Sequence, residues 1–143
     1  TFKEETETDL FGEQVILTGS IPMIIIESYK VLLEAGYDPI VAWFVCFYEI
    51  KTIINLMFEN GMQNFYESIS DTARYGGISR GERLIDRSFK NKIKNILEEI
   101  RNGSFDRELK DSIRGGKHYQ SSDIFNSKEF NEIEKKMLKI LKK

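Results

Sequence analysis

Apolar positions recur at helical spacing along most of the chain. Ile93, Ile96, Leu97 and Ile100 form one stripe at i, i+3, i+4 and i+7, and Phe130, Ile133, Met137 and Ile140 repeat it near the end. Both predict amphipathic helices. Ser20 and Pro22 mark the opening of a helix that closes near Gly36, and Asp38 with Pro39 offers an N-cap and first-turn proline for the next. Gly61, the Gly76-Gly77 pair, Gly103 and Gly115-Gly116 predict later breaks. No two-residue hairpin turn separates alternating strand-like runs, so the expected fold is all-α, with six to eight helices and no sheet. Residues 114–126, polar and rich in Gly and Ser, predict a surface linker that contains the only histidine, His118.

Residues 39–60 break the amphipathic rule. Ile40, Val41, Trp43, Phe44, Phe47 and Tyr48 leave little polar face, and a helix apolar all round predicts a central, buried position. Glu49 lies in the middle of it. A carboxylate in such surroundings costs several kcal/mol, in order of magnitude about that of any buried ion, unless a cation or donors meet it. Three readings stay open: an ion pair with Lys51, Arg74 or Arg80, a partly exposed glutamate at the rim of the helix, or a metal ion. Asp9 and Glu13, four apart, share one face of a helix, with Gly12 between them leaving room for close approach. Two hard oxygen donors one turn apart suit magnesium or manganese. The helix dipole also favours acidic residues near a helix start, so this spacing alone does not decide.

Composition narrows the class. A chain of 143 residues with 41% hydrophobic and 12% aromatic content supports one domain with its own core. Twenty-one basic against twenty-three acidic residues, net charge −2, give no footprint for nucleic acid. The lysines of the last helix read as a solvated face and a favourable helix C-terminus. Cys46 has no intramolecular partner and suits a reducing, cytoplasmic compartment as a small buried hydrophobe. The longest apolar run, 40–48, is less than half of the ~20 residues a membrane helix needs, so no membrane association is expected. The opening at Thr1, already inside a helix-compatible run, reads as a piece of a longer protein.

Glu5-Thr6-Glu7-Thr8-Asp9-Leu10-Phe11-Gly12-Glu13-Gln14 resembles the metal-binding opening of the C-terminal domain of ketol-acid reductoisomerases. Further segments follow in order: Glu34-Ala35-Gly36-Tyr37, Tyr48-Glu49-Ile50-Lys51, Ser68-Ile69-Ser70-Asp71-Thr72-Ala73 and Ile100-Arg101-Asn102-Gly103-Ser104-Phe105. The resemblance covers roughly the first 110 residues and loosens toward the tail. It implies that 1–143 is a knotted, all-helical domain of the short bacterial form, intertwined as a homodimer. It also implies an activity for the whole enzyme: magnesium-dependent alkyl migration in 2-acetolactate or 2-aceto-2-hydroxybutyrate, then NADPH reduction to the dihydroxy acid in branched-chain amino-acid synthesis.

Residue by residue, the resemblance implies that Asp9 bridges two Mg2+ ions, that Glu13 binds one of them, and that Glu49 arrives from the partner subunit. Ser70 would hydrogen-bond the acetohydroxy-acid substrate, with Ile69 and Ala73 lining the pocket. The chain departs from the family pattern at Val45, where a second glutamate is expected, and at Leu109, where tryptophan is usual. No Gly-x-Gly-x-x-Gly turn occurs, so the NADPH site is expected in an N-terminal domain outside these residues, which are expected to be inactive alone. The alternative is a non-catalytic helical dimerisation module with a degenerate metal site.

Overall fold

In a computed structural model of the chain, residues 1–116 and 127–142 are described. Among them there is helix and no strand. The helices are α1 (Phe2–Gly12), α2 (Ser20–Glu34), α3 (Pro39–Trp43), α4 (Glu49–Phe65), α5 (Asp71–Leu84), α6 (Arg87–Arg101), α7 (Ser104–Arg114) and α8 (Lys128–Leu141). Two π-helical segments interrupt the α geometry, π1 (Glu13–Leu17) after α1 and π2 (Phe44–Tyr48) between α3 and α4. His118 and most of the predicted linker lie outside the described residues.

Local chemistry sets the boundaries. Thr1 and Glu4 form a capping box at α1. Asp38 accepts from the N–H groups of Ile40 and Val41 at 2.9 and 3.1 Å, with Pro39 in the first turn of α3. Ser70, Asp86 and Ser127 cap α5, α6 and α8. Gly103 ends α6 in the left-handed region at φ 73°, and Gly61, at φ 75° and ψ 157°, kinks α4 where a break is expected. Gly76 and Gly77 do not break the chain: α5 runs through both. Its Ser70 cap and flanking turns outweigh a helix-propensity cost of about 1 kcal/mol per glycine.

One closed core forms where α2, α3 and α8 meet. Ile26, Tyr29, Ala42 and Trp43 are essentially inaccessible, and Ile25 and Phe130 join them. Tyr29 meets Phe130 edge-on at 5.0 Å between ring centroids, and Trp43 packs on Phe47 at 5.3 Å. Cys46 is half-buried against this cluster, and burial pushes its thiol pKa up, away from the reactive thiolate. Elsewhere α1 packs on α6, and α6 on α7.

The expectation that residues 39–60 are buried in the chain does not hold. Beyond Trp43 the α3–π2–α4 run is largely open, with Ile54 and Met62 exposed and Phe58 92% exposed. An apolar face cannot be buried when no second element of the same chain lies over it. Helical continuity also corrects the membrane estimate. Counted through the π segments, Phe2–Glu34 (33 residues) and Pro39–Phe65 (27 residues) are each long and apolar enough to cross a membrane by length and composition alone. A mostly buried core helix of a soluble protein passes the same test; here most of both apolar stretches is not buried within the chain.

Candidate functional site

Asp9 and Glu13 stand on the last turn of α1 and the first position of π1, both exposed. The intervening Gly12 has nothing within 4 Å of where a Cβ would lie, so the space beside the two carboxylates is open, as their spacing predicts. The segment after them is tightly tied. The Glu13 carbonyl accepts from the Thr18 N–H at 2.8 Å, the Gly19 N–H at 3.2 Å and the Thr18 hydroxyl at 2.9 Å. A Cβ on Gly19 would sit 1.8 Å from the Gln14 carbonyl oxygen, so only glycine allows this close return of the chain. Such wide turns are frequent at functional positions.

Glu49 follows π2 directly as the first residue of α4, and it too is exposed. None of the cations considered as its ion-pair partner meets it. Arg74 binds Glu67 at 2.9 Å and Asp71 in a short contact, while Arg80 donates to Ser79 at 2.8 Å and lies over the Tyr75 ring. Lys51 makes no ion pair among the described residues. Lys3, the nearest lysine in sequence to Asp9, pairs with Glu7 at 3.7 Å. The carboxylates of Asp9, Glu13 and Glu49 therefore carry no hydrogen bond or ion pair among the described residues. Three unneutralised hard oxygen donors fit a divalent cation by chemistry. No group of three or more potential ligands gathers within the single chain among the described residues, so Glu49 does not complete the Asp9–Glu13 pair from its own chain.

Val45 lies inside π2, four residues before Glu49 and partly exposed, and offers no donor. Ser70 caps α5, its Oγ accepting from the Ala73 N–H at 3.2 Å, with Ile69 half-buried and Ala73 exposed beside it. Because the cap uses Oγ as an acceptor, the hydroxyl proton remains to be donated. A shallow groove along α5, lined by Asp71, Arg74, Tyr75, Ile78, Ser79 and Glu82, contains none of the three carboxylates. Sequence reading missed the two π segments, which no residue pattern announces. It also missed the Arg74 bridge, although acids seven and three residues before an arginine are a visible signal.

The chain is thus an all-helical domain with exposed, unpaired carboxylates on two helical runs and a capping serine on a third. Residues 2–142 match the family described as the C-terminal domain of ketol-acid reductoisomerase. A ketol-acid reductoisomerase (NADP(+)) of Corynebacterium urealyticum is 43% identical over 135 residues, covering 94% of this chain and 40% of that protein. That of Corynebacterium aurimucosum is 46% identical over 116 residues, 81% of this chain and 34% of that protein. A solved NADH-preferring ketol-acid reductoisomerase from an uncultured archean superposes with a TM-score of 0.89 at 34% identity, covering 97% of this chain and 43% of that one. The chain belongs to the ketol-acid reductoisomerase C-terminal domain family. It spans about two fifths of the length of these relatives.

Proposed function

We propose that this domain supplies the magnesium- and substrate-binding half of a ketol-acid reductoisomerase site that is complete only between two copies of the chain. The observation that carries the reading is the state of the three carboxylates, which are exposed and unpaired yet not gathered in one chain. Asp9 and Glu13 from one copy would hold the cation together with Glu49 of the partner subunit. The exposed apolar faces of π1, α2 and the α3–π2–α4 run are the surface that the second copy would cover. This partner also answers the apolar length of those helices without a membrane.

A divalent ion held by these carboxylates would supply Lewis-acid stabilisation of negative charge on the substrate's oxygens. The chain's own residues orient and exclude. Ser70 donates its hydroxyl proton to a substrate oxygen while its Oγ stays fixed by the Ala73 N–H. Ile69 and Ala73 present small apolar surface beside it, and the substrate is 2-acetolactate or 2-aceto-2-hydroxybutyrate. Reduction belongs to a nicotinamide-binding part outside these residues. NADPH is the reductant proposed, since the curated relatives are named for NADP(+). The compartment is cytoplasmic.

Val45 removes one carboxylate from this set, so the site holds its ions with less negative charge. Calorimetric magnesium titration tests the reading: the native chain binds, Asp9→Asn does not, and Val45→Glu binds more tightly. Equal heats for all three would contradict it. Binding by Val45→Glu alone would favour the second reading, a helical dimerisation module whose metal site is degenerate at Val45.

A further inference from the structure

The turn that presents Ser70 is tied at both ends. At its start, Glu67 and Ser68 donate their N–H groups to the carbonyls of Asn64 and Phe65 at 3.0 Å, and the Ser68 hydroxyl donates to Asn64 at 3.0 Å. At its end, Ser70 caps α5. The Arg74 guanidinium spans the two ends, donating to Glu67 Oε2 at 2.9 Å and to Asp71 Oδ1 in a short contact. A fork of rigid donors thus joins Glu67, tied to the end of α4, to the first residue of α5.

We propose that Arg74 is a positioning residue, whose bridge between Glu67 and Asp71 holds the Ser68-Ile69-Ser70 turn so that the Ser70 hydroxyl faces an oxygen-bearing ligand. The proposal rests on the reading of Ser70 as a substrate contact. Glu67 and Asp71 are exposed and Arg74 is half-buried, so the solvent-screened bridge contributes little to global stability and acts on the local freedom of the turn. That separates it from a structural ion pair, whose loss would register in the melting transition.

Amide hydrogen exchange on the full 143-residue chain reads the effect directly. Arg74→Gln should speed exchange at Ile69 and Ser70 about fivefold and leave the buried Ile100 of α6 unchanged, with Arg74→Lys partly restoring protection. Added salt should loosen the native turn and leave Arg74→Gln unaffected. In a parallel titration with 2-acetolactate and magnesium, Arg74→Gln should weaken binding about fivefold and Ser70→Ala at least as much. Unchanged exchange in Arg74→Gln, with Ser70→Ala still weakening binding, would overturn the role of Arg74 alone. Unchanged 2-acetolactate binding in Ser70→Ala would overturn the substrate reading and this inference with it.

Discussion

Two regions of comparable apolar content meet opposite fates. Where α2, α3 and α8 converge, Trp43, Tyr29 and Ile26 are sealed from solvent by elements far apart in sequence. Several turns further along the same helical run, Phe58 and Met62 stand in the open, and α5 packs extensively against no other described element. The difference lies in partners and not in residue type. α8 returns to cover α3, whereas the middle of α4, around Phe58, is left open between Ile50, which packs on the core, and the buried Phe65. The candidate carboxylates and Ser70 all lie outside the sealed core, so the account places the chemistry where a second copy must close over the chain.

Substitutions separate the two regions, and the largest effect belongs to the sealed one. Trp43→Ala removes a fully buried ring and should cost about 3–5 kcal/mol of stability, read by denaturant unfolding. Phe58→Ser should leave the fold of each copy intact while removing roughly 2 kcal/mol of burial per copy from the association. Light scattering at micromolar concentration should then report a dimeric mass for the native chain and a lighter one for the variant. A native monomer would break the comparison, because the open face would then have no occupant of this kind.

Acid and alkali reach different regions. Asp86 caps α6, and the Phe89 N–H with the Ser88 hydroxyl holds its carboxyl pKa below the usual 3.8. Its contribution is present above the unfolded value and is lost as pH falls through the lowered folded value; Asp86→Asn should flatten that acid limb. Tyr29 lies in the sealed core, where burial first, then the charges of Glu129 and Asp38, raise its pKa above 10.0. Its contribution is present below the unfolded value and lost as pH rises through the raised folded value. Tyr29→Phe should remove this alkaline limb. At neutral pH it should cost nothing or stabilise by about 1 kcal/mol, the smallest effect of the set, because the buried hydroxyl has no hydrogen-bond partner among the described residues.

Much of this was legible in the residues. Local signals act within a turn or two, so the helical class, the Asp38–Pro39 start, the Gly61 kink and the Gly103 stop could be read directly. The open space at Gly12 was equally visible. Burial was not, because an apolar run records that a segment will be covered and not what covers it. The expectation of buried surroundings for Glu49 is that error, whereas the alternative of an exposed place at the helix rim holds. Gly76 and Gly77 failed for a related reason: their helix is imposed by the cap and turns on either side, which outweigh local propensity. The π segments depend on hydrogen bonds reaching one residue further than usual, as at the Glu13 carbonyl, and leave no periodic trace.

The central claim is that Glu49 completes the site of the other copy, and subunit complementation tests it most directly. Asp9→Asn and Glu49→Gln chains, each alone, should bind no magnesium by calorimetry. Refolded together, mixed dimers carry one site lacking both groups and one site with both intact, so the account predicts that binding returns at one intact site per mixed dimer. Mixtures that stay silent while each variant remains folded and dimeric would show that the carboxylates act within one chain or not at all, contradicting the shared site.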